Sequence, residues 1–228
     1  MKTGFILSLF CLWMMTAPFL ALAQTDFGYQ EEKESLFFVD FAAFREDTGE
    51  KFRVEIYYKI LTQGLTFIKA EDKFNASYEI QIFAFNKINK EQTGTSMEED
   101  YSVNTYEETR SPSNFLINQT NLSLYSGRYK LRIKMIDRNS GSAFDTEKDL
   151  SIPSRGKGKM LFSDIEFIRQ LSDSTSASRF NQKGKDAIPS VTRSYGDTDP
   201  TLLFYYEIYP EAQPPRPYLL RYDVGHLA

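Results

Sequence analysis

Hydrophobic and polar residues alternate along much of the chain, and this period of two is the pattern of half-buried β-strands. In the segment Phe52–Ile60 every second residue is apolar, whereas charged residues such as Arg53 and Glu55 lie between them. Because successive side chains of a strand point to opposite faces, this segment predicts one apolar and one polar face. Leu36–Phe44 predicts the preceding strand, and the turn sequence 46–49 joins the two into a hairpin.

The same alternation predicts five further strands before residue 153. They are expected over Leu65–Lys69, Tyr78–Ala84, Glu91–Tyr106, Tyr129–Met135 and a last segment that ends near Ile152. The most polar of them, Glu91–Tyr106, predicts an edge strand. No stretch longer than two turns has a helical period, which argues against a parallel α/β fold, since parallel crossovers usually need helices. About seven antiparallel strands are typical of an immunoglobulin-like β-sandwich, which we expect over residues 35–153.

The sequence Leu124–Tyr129 offers a local test of that fold. In immunoglobulin-like sandwiches a Tyr at a strand corner donates its hydroxyl to the backbone a few residues upstream. Tyr129 follows Gly127 into an alternating strand, which is where such a Tyr would lie. An ordinary turn before a strand with a core Tyr explains the same residues, and both interpretations predict β structure.

Residues 154–159 have the composition of a linker, with two glycines and no apolar residue. They separate the sandwich from a second, smaller β unit over residues 160–228. In this unit a strand is predicted through Leu161–Phe167, whereas residues 170–187 are polar and Ser-rich. Leu202–Tyr209 is apolar and aromatic on both faces, which predicts a central strand. The all-β prediction therefore extends to the second unit.

The second unit is too short for a complete sandwich, which uses about 100 residues. Tyr218–Tyr222 predicts a neighbouring strand after a connection that contains four prolines. An incomplete unit would leave an apolar face and an unpaired strand edge, both of which favour association. We therefore expect missing sequence or a partner to complete it, and self-association through this unit is one such route. The alternative is that the unit packs against the first sandwich and covers its own face.

The N-terminus has the pattern of a secretory signal peptide. Met1 and Lys2 are followed by an apolar run over Phe5–Leu22 and by the small-residue pattern Ala21–Ala23. These features predict cleavage before Gln24, export to the periplasm or the extracellular space, and no stable membrane span in the mature chain. A retained membrane anchor is the alternative. Residues 24–34 are predicted to form a flexible segment before the sandwich.

The composition of the chain excludes several classes of catalysis and ligand binding. The only Cys, Cys11, lies in the predicted signal peptide and the only His, His226, lies near the end of the chain, so His- or Cys-based catalysis and zinc binding have no support. A net charge of −4 argues against nucleic acid, which requires clustered Lys and Arg. No Gly-rich loop leads from a strand into a helix, so no nucleotide cofactor is predicted.

Acidic residues provide the remaining candidates for chemistry. Glu98, Glu99 and Asp100 are adjacent, and Asp197 and Asp199 flank a Thr. Glycoside hydrolysis needs two carboxyls held across a cleft, whereas adjacent acids on a strand point apart and acids in a loop are usually solvated. The 197–199 loop could hold calcium, although a polar turn explains it equally well. We therefore predict no enzyme and no catalytic, metal or cofactor site.

The order of several short sequences resembles a known family. These sequences are Phe52–Ile60, Leu65–Phe67, Ser126–Leu131 with Asp137 and Ser140–Gly141, Leu161–Ile165, Phe180, Lys183–Gly184, Ile188–Ser190, Tyr195–Gly196 and Leu203–Tyr209. Together they resemble the N-terminal region of bacterial GWxTD domain-containing proteins over about residues 35–210. The Gly-Trp-x-Thr-Asp element itself is absent, since the only Trp is Trp13. The resemblance implies an exported bacterial protein with tandem immunoglobulin-like domains and no established reaction.

Two functional classes remain. The first is a non-catalytic interaction or structural module of the cell envelope that holds a protein partner. The second is a carbohydrate-binding accessory domain, in which Tyr205 and Tyr209 would be candidate stacking residues. Sugar platforms favour exposed Trp and Tyr, but the mature chain has no Trp and most of its aromatic residues alternate with charged ones as core residues do. The interaction module is the favoured interpretation.

Overall fold

The structure is a computed structural model that describes residues 36–47, 50–154, 161–174, 178–195, 201–209 and 220–221. Several predicted features lie outside the described residues. These features are the signal peptide 1–23, the segment 24–34, the linker residues 155–159, the acids Asp197 and Asp199, most of the strand predicted over Tyr218–Tyr222, and His226. Within the ranges given, no helix has the length and apolar character needed to cross a membrane.

The first part of the chain contains eight strands and two short helices. Its strands are β1 (Phe37–Arg45), β2 (Lys51–Leu61), β3 (Ile68–Ala70), β4 (Lys73–Asn86), β5 (Gln92–Val103), β6 (Phe115–Tyr125), β7 (Gly127–Asp137) and β8 (Ala143–Ile152). A 3-10 helix over Thr62–Gly64 follows β2, and the five-residue helix α1 (Tyr106–Arg110) follows β5. The Thr105 side chain caps α1 and Glu108 completes a capping box, which satisfies backbone groups at the helix start.

These strands form two antiparallel sheets packed face to face, which confirms the predicted all-β sandwich. The first sheet has the order β1–β2–β6, and the second has the order β5–β4–β7–β8, with β3 also paired to β4. Alternate residues of both sheets point inward and form one hydrophobic core. The largest of its fully buried side chains are Val54, Ile56, Tyr58, Ile60, Ile80, Ile82, Leu131, Ile133 and Met135.

Tyr129 makes the corner hydrogen bond that the sequence suggested. Its hydroxyl donates to the backbone carbonyl of Tyr125 over 3.0 Å, across the tight turn between β6 and β7. The predicted β1–β2 hairpin and the edge position of β5 are confirmed, since β5 pairs only with β4 among the described strands. The strand predicted at Leu65 begins three residues later, because the backbone N–H of Leu65 still bonds Thr62 of the 3-10 helix.

The sequence interpretation missed β6, which supplies the third strand of the first sheet. Its ends are apolar, but its centre reads Asn118, Gln119, Thr120 and Asn121, which hides the alternation. Gln119 donates through Nε2 to the backbone carbonyl of Arg179, at 2.5 Å. The strand is polar at its centre because it contacts polar groups of a later chain segment there.

That later segment comprises the described residues within 161–209 and is called the second β segment. Its strands are β9 (Leu161–Phe162), β10 (Glu166–Asp173), β11 (Asn181–Gln182), β12 (Lys185–Pro189), β13 (Leu203–Tyr205) and β14 (Ile208–Tyr209). Four of them form the sheet β11–β12–β10–β13, and β14 pairs with β9. β12 begins in the polar, Ser-rich stretch 170–187, whose composition predicts no strand.

Two predictions for the second β segment need correction. The strand expected through Leu161–Phe167 is interrupted, because Asp164 turns to the edge of β1, where its N–H donates to the Ala43 carbonyl (3.1 Å) and its carboxylate accepts from the Ala43 N–H (3.0 Å). Leu202–Tyr209 is not a central strand. Within the described residues β13 lies at the edge of its sheet. The strand is interrupted before β14, where the Glu207 N–H donates to the Ser163 hydroxyl.

The second β segment covers the outer face of the first sheet. Ala42, Phe44 and Tyr57 of that face form a small core with Val191. The described residues all fall within one compact unit over 35–228. This packing is the alternative that the sequence left open for the second unit, and it buries the part of the outer face that contains Ala42, Phe44, Glu55 and Tyr57. The domain boundary expected at 154–159 stays a prediction.

Candidate interaction surface and buried acid cluster

Five aromatic side chains follow one another across the second β segment, and we call them the aromatic row. They are Phe162, Tyr206, Phe204, Phe167 and Tyr195. Ring centroids are 6.4 Å apart for Phe162 and Tyr206, 6.2 Å for Phe204 and Tyr206, and 6.4 Å for Phe167 and Tyr195. Phe204 lies opposite Phe167 in the β10–β13 pairing, so their side chains share a face of the sheet.

The exposed rings of the aromatic row are Phe162, Phe204 and Tyr195, whereas Phe167 lines a groove together with Phe41 and Leu150 of the first sandwich. The neighbours of Phe167 along the chain, Glu166 and Ile168, are buried, as expected when alternate residues of β10 point inward. Phe162 is 45% exposed and Phe204 is 40% exposed. The exposed side chains Ile165 and Leu202 extend the apolar surface. Clusters of large exposed apolar side chains on a folded sheet are typical of interaction sites.

A cation lies beside the aromatic row. The Arg193 guanidinium is 4.7 Å from the centre of the Phe167 ring, and two hydrogen bonds of 2.7 Å join it to the Asp40 carboxylate on β1. The ion pair fixes Arg193, so the cation remains at this place on the surface. Aromatic residues and Arg are the types enriched at protein interfaces.

The candidate sugar-stacking residues lie on the other side. The Tyr205 ring packs 5.6 Å from Phe44, and its hydroxyl donates to Glu207 at 2.7 Å. The Tyr209 hydroxyl accepts from the Arg45 N–H at 2.7 Å. Both residues therefore attach the second β segment to the first sheet, and the outward aromatic surface is formed by other residues.

A buried acid cluster lies between the first sheet and the second β segment. On β2, the Glu55 carboxylate accepts from Arg53 Nε at 2.7 Å and from the Tyr57 hydroxyl at 2.8 Å. Gln182 Nε2 donates to Glu55 at 2.7 Å and to Glu166 of β10 at 3.3 Å. One side-chain amide thus holds two carboxyl groups that come from different segments of the chain.

Glu166 is the most isolated member of the cluster. It is 1% exposed, and its Oε1 has no hydrogen-bond partner. Burial, and secondly the charge of Glu55, raise the pKa of Glu166 to about 8. Glu55 is 4% exposed but accepts hydrogen bonds from three residues, one of them the cation Arg53.

The acids singled out in the sequence behave differently from this pair. Glu98 and Asp100 are exposed, as expected for solvated acids on an edge strand. Glu99 points to the other face, where it accepts from the Tyr78 hydroxyl at 2.8 Å and from Asn118 Nδ2 at 2.5 Å and forms an ion pair with Arg179. It fastens the second β segment to the sandwich. In the part of the chain that the structure describes, no three His, Cys, Asp or Glu side chains are grouped closely enough to hold a metal ion.

Sequence reasoning missed the Glu55–Glu166 pair for a physical reason. The alternation in β2 correctly placed Glu55 on the face opposite the sandwich core, but a polar face is ordinarily solvated. Only the packing of a distant segment buries it, and no local pattern reports that packing.

No protein-family model matches the chain, and no curated protein matches it. The resemblance to GWxTD domain-containing proteins therefore stays a prediction.

Proposed function

We propose that this protein is an exported, non-catalytic interaction module of the bacterial cell envelope that binds a protein partner through the aromatic row. The observation that carries the proposal is the row itself, with Phe162 on β9 and Phe204 on β13 both at least 40% exposed. The sandwich core accounts for most other apolar side chains. Burial of the row by a partner would therefore remove apolar area from water, which favours binding.

The absence of catalysis is part of this proposal. The carboxyl groups of Glu55 and Glu166 are joined by one Gln182 amide, but the two residues are only 4% and 1% exposed. A catalytic acid pair must reach its substrate, as the two carboxyls of a glycosidase do on either side of the scissile bond. The geometry of this pair instead suits a role between two packed sheets.

The assignment to an immunoglobulin-like fold belongs to the proposal as well. The strand orders β1–β2–β6 and β5–β4–β7–β8 split seven strands between two antiparallel sheets. The Tyr129 hydroxyl bonds the Tyr125 carbonyl at the entry to β7. Both features support an immunoglobulin-like sandwich, a fold that many cell-surface binding proteins share without sequence similarity. The likeness to GWxTD domain-containing proteins supports the same class and an exported location.

Carbohydrate binding is the second candidate, and one observation favours it. The Phe204 and Tyr206 rings lie within 26° of parallel, and a pair of similarly oriented rings is a usable platform for sugar faces. Phe lacks the hydroxyl that would bond a sugar, which is why a protein partner is preferred. The two candidate functions differ in the ligand that would bind the aromatic row, which is a protein in the first case and a glycan in the second.

The test compares two double variants of the full mature chain. Phe162→Ser with Phe204→Ser removes the row, and Ile88→Ser with Tyr125→Ser removes two exposed apolar side chains elsewhere. A partner captured from the envelope fraction is purified and titrated against each protein. We expect the row variant to bind about tenfold or more weakly and the control variant to bind as the wild type does.

Equal binding by both variants would contradict the proposal. Binding to a glycan array that is lost in the row variant only, without a protein partner, would support carbohydrate binding instead. Mass spectrometry of the native protein tests export separately. The mature chain is expected to begin at Gln24, and an intact Met1 in a membrane fraction would contradict cleavage.

A further inference from the structure

Two carboxyl groups are buried close together in the contact between the first sheet and the second β segment. Glu55 belongs to β2 and Glu166 to β10, and both are buried where the two sheets meet. The Gln182 amide nitrogen is the donor that they share, at 2.7 and 3.3 Å. Two negative charges joined by one neutral donor would repel each other strongly in a site without water. The arrangement is favourable only when one carboxyl carries a proton.

The surrounding groups determine which carboxyl is neutral. Arg53 and Tyr57 both bond Glu55 directly. Glu166 accepts the longer bond from Gln182 and also interacts with Tyr57 and Arg53, but its Oε1 has no partner. A buried carboxylate oxygen without a donor is far more costly than a neutral hydroxyl in the same place. The proton therefore belongs to Glu166.

We propose that Glu55 and Glu166 form a proton-dependent latch, which holds the second β segment on the outer face of the first sheet while Glu166 is neutral. When Glu166 gives its proton to solvent, the pair carries two negative charges. Arg53 already pairs with Glu55 and Lys183 with Glu207, so among the described residues the second charge has no cation of its own. The segment then separates from the sheet far enough to hydrate Glu166. The inner sandwich core does not take part, because it lies on the other face of the sheet.

The other charged and titratable groups near the pair come from four places. They are Arg53 and Tyr57 on β2, Asp40 on β1, Lys183 after β11, and Tyr205 and Glu207 of the β13 region. Lys183 pairs with Glu207 at 3.2 Å. On β6 the residues opposite Arg53, Glu55 and Tyr57 are uncharged. Burial raises the pKa values of Tyr57 and Tyr205, so neither tyrosine ionises in the range where Glu166 does.

The direction of the pH dependence follows from linkage. The pKa of Glu166 is raised to about 8 in the closed form, above its ordinary value of 4.5. Between these two values the open form binds fewer protons than the closed form, so closing weakens as pH rises. A single proton changes the opening equilibrium by at most about tenfold for each pH unit in this window.

Two backbone amides report the latch directly. The Ala43 N–H donates to the Asp164 carboxylate at 3.0 Å, and the Arg45 N–H donates to the Tyr209 hydroxyl at 2.7 Å. Both bonds join β1 to the second β segment and break when the segment separates. The amides of β7 are the internal reference, because β7 pairs with β4 on one side and β8 on the other.

The experiment measures hydrogen exchange of the full mature chain by NMR from pH 5 to 9 and expresses it as protection factors, which removes the intrinsic pH dependence of exchange. As pH rises from 5 to 8, the protection factors of the Ala43 and Arg45 amides should fall by up to about tenfold for each pH unit. Those of the β7 amides should stay constant. In Glu166→Gln it should not fall. The control Glu107→Gln, at an exposed position of α1, should behave as the wild type does.

Three results would overturn the proposal. They are an equal fall in Glu166→Gln and wild type, a parallel fall at β7, and constant protection of Ala43 in the wild type up to pH 9. If Glu166→Gln does not fold, Glu166→Met replaces it in the test, because Met has no ionisable group and is similar in size to Glu. Its protection at Ala43 is then expected to be independent of pH.

Discussion

The two faces of the first sheet are held by different interactions. The inner face of β2 presents Val54, Ile56 and Ile60 to the sandwich core, and all three are fully buried among apolar side chains. The outer face presents Tyr57, which packs in a small cluster with Val191, and Glu55, which is buried and bonded by Gln182 of the second β segment. The first contact depends on apolar burial alone, whereas the second depends on the protonation of its groups. One strand thus carries both a permanent core and a conditional contact.

The largest expected effect is at the inner face. Ile133→Ala removes a fully buried side chain from β7 and should lower the free energy of unfolding by about 2–5 kcal/mol, through lost burial and the cavity left behind. Urea unfolding followed by circular dichroism measures it. The matched exposed variant Ile88→Ala should change stability by less than about 0.5 kcal/mol. Similar losses for the two variants would mean that the core assigned here is wrong.

The next largest effect is a pH dependence of the free energy of unfolding that arises from the outer face only. Glu166→Gln removes a group whose pKa is raised to about 8, so the wild type should lose stability relative to the variant as pH rises from 4.5 to 8. The difference should grow by at most about 1.4 kcal/mol for each pH unit, because the folded wild type retains a proton that the unfolded chain releases. Urea titrations at pH 5 and pH 8.5 measure this. A difference that shrinks with rising pH would reverse the assigned sign.

A smaller effect is expected at the corner between β6 and β7. Tyr129→Phe removes the hydroxyl that bonds the Tyr125 carbonyl and should cost about 0.5–1.5 kcal/mol in urea unfolding. The control Tyr101→Phe removes a hydroxyl from the β5 edge and should have less effect. Equal losses in the two variants would show that the corner bond does not stabilise the sandwich.

Sequence patterning predicted the elements whose two faces differ in polarity. β2 and β7 were predicted because apolar and polar residues alternate along them. β12 was missed because it is only five residues long and begins in the polar stretch 170–187. β6 was missed because its Asn118–Asn121 centre contacts the second β segment, a contact made far along the chain.

The candidate site was harder to predict than the fold, for the same reason. The aromatic content of Leu203–Tyr209 was evident, but which rings face outward depends on the pairing of β13 with β10. Tyr205 attaches the segment to Phe44, whereas its neighbours Phe204 and Tyr206 belong to the aromatic row. The Glu55–Glu166 pair joins two residues that have no local pattern in common.

Site-specific photocrosslinking in the source cell tests the central claim most directly. A photoreactive phenylalanine analogue is placed at Phe204 in one protein and at Tyr125, an exposed position outside the row, in another. We expect a discrete crosslinked adduct with an envelope protein from position 204 and no such adduct from position 125. An adduct of equal yield from position 125, or none from position 204 in cells where the protein is exported and folded, would contradict the aromatic row as the contact surface.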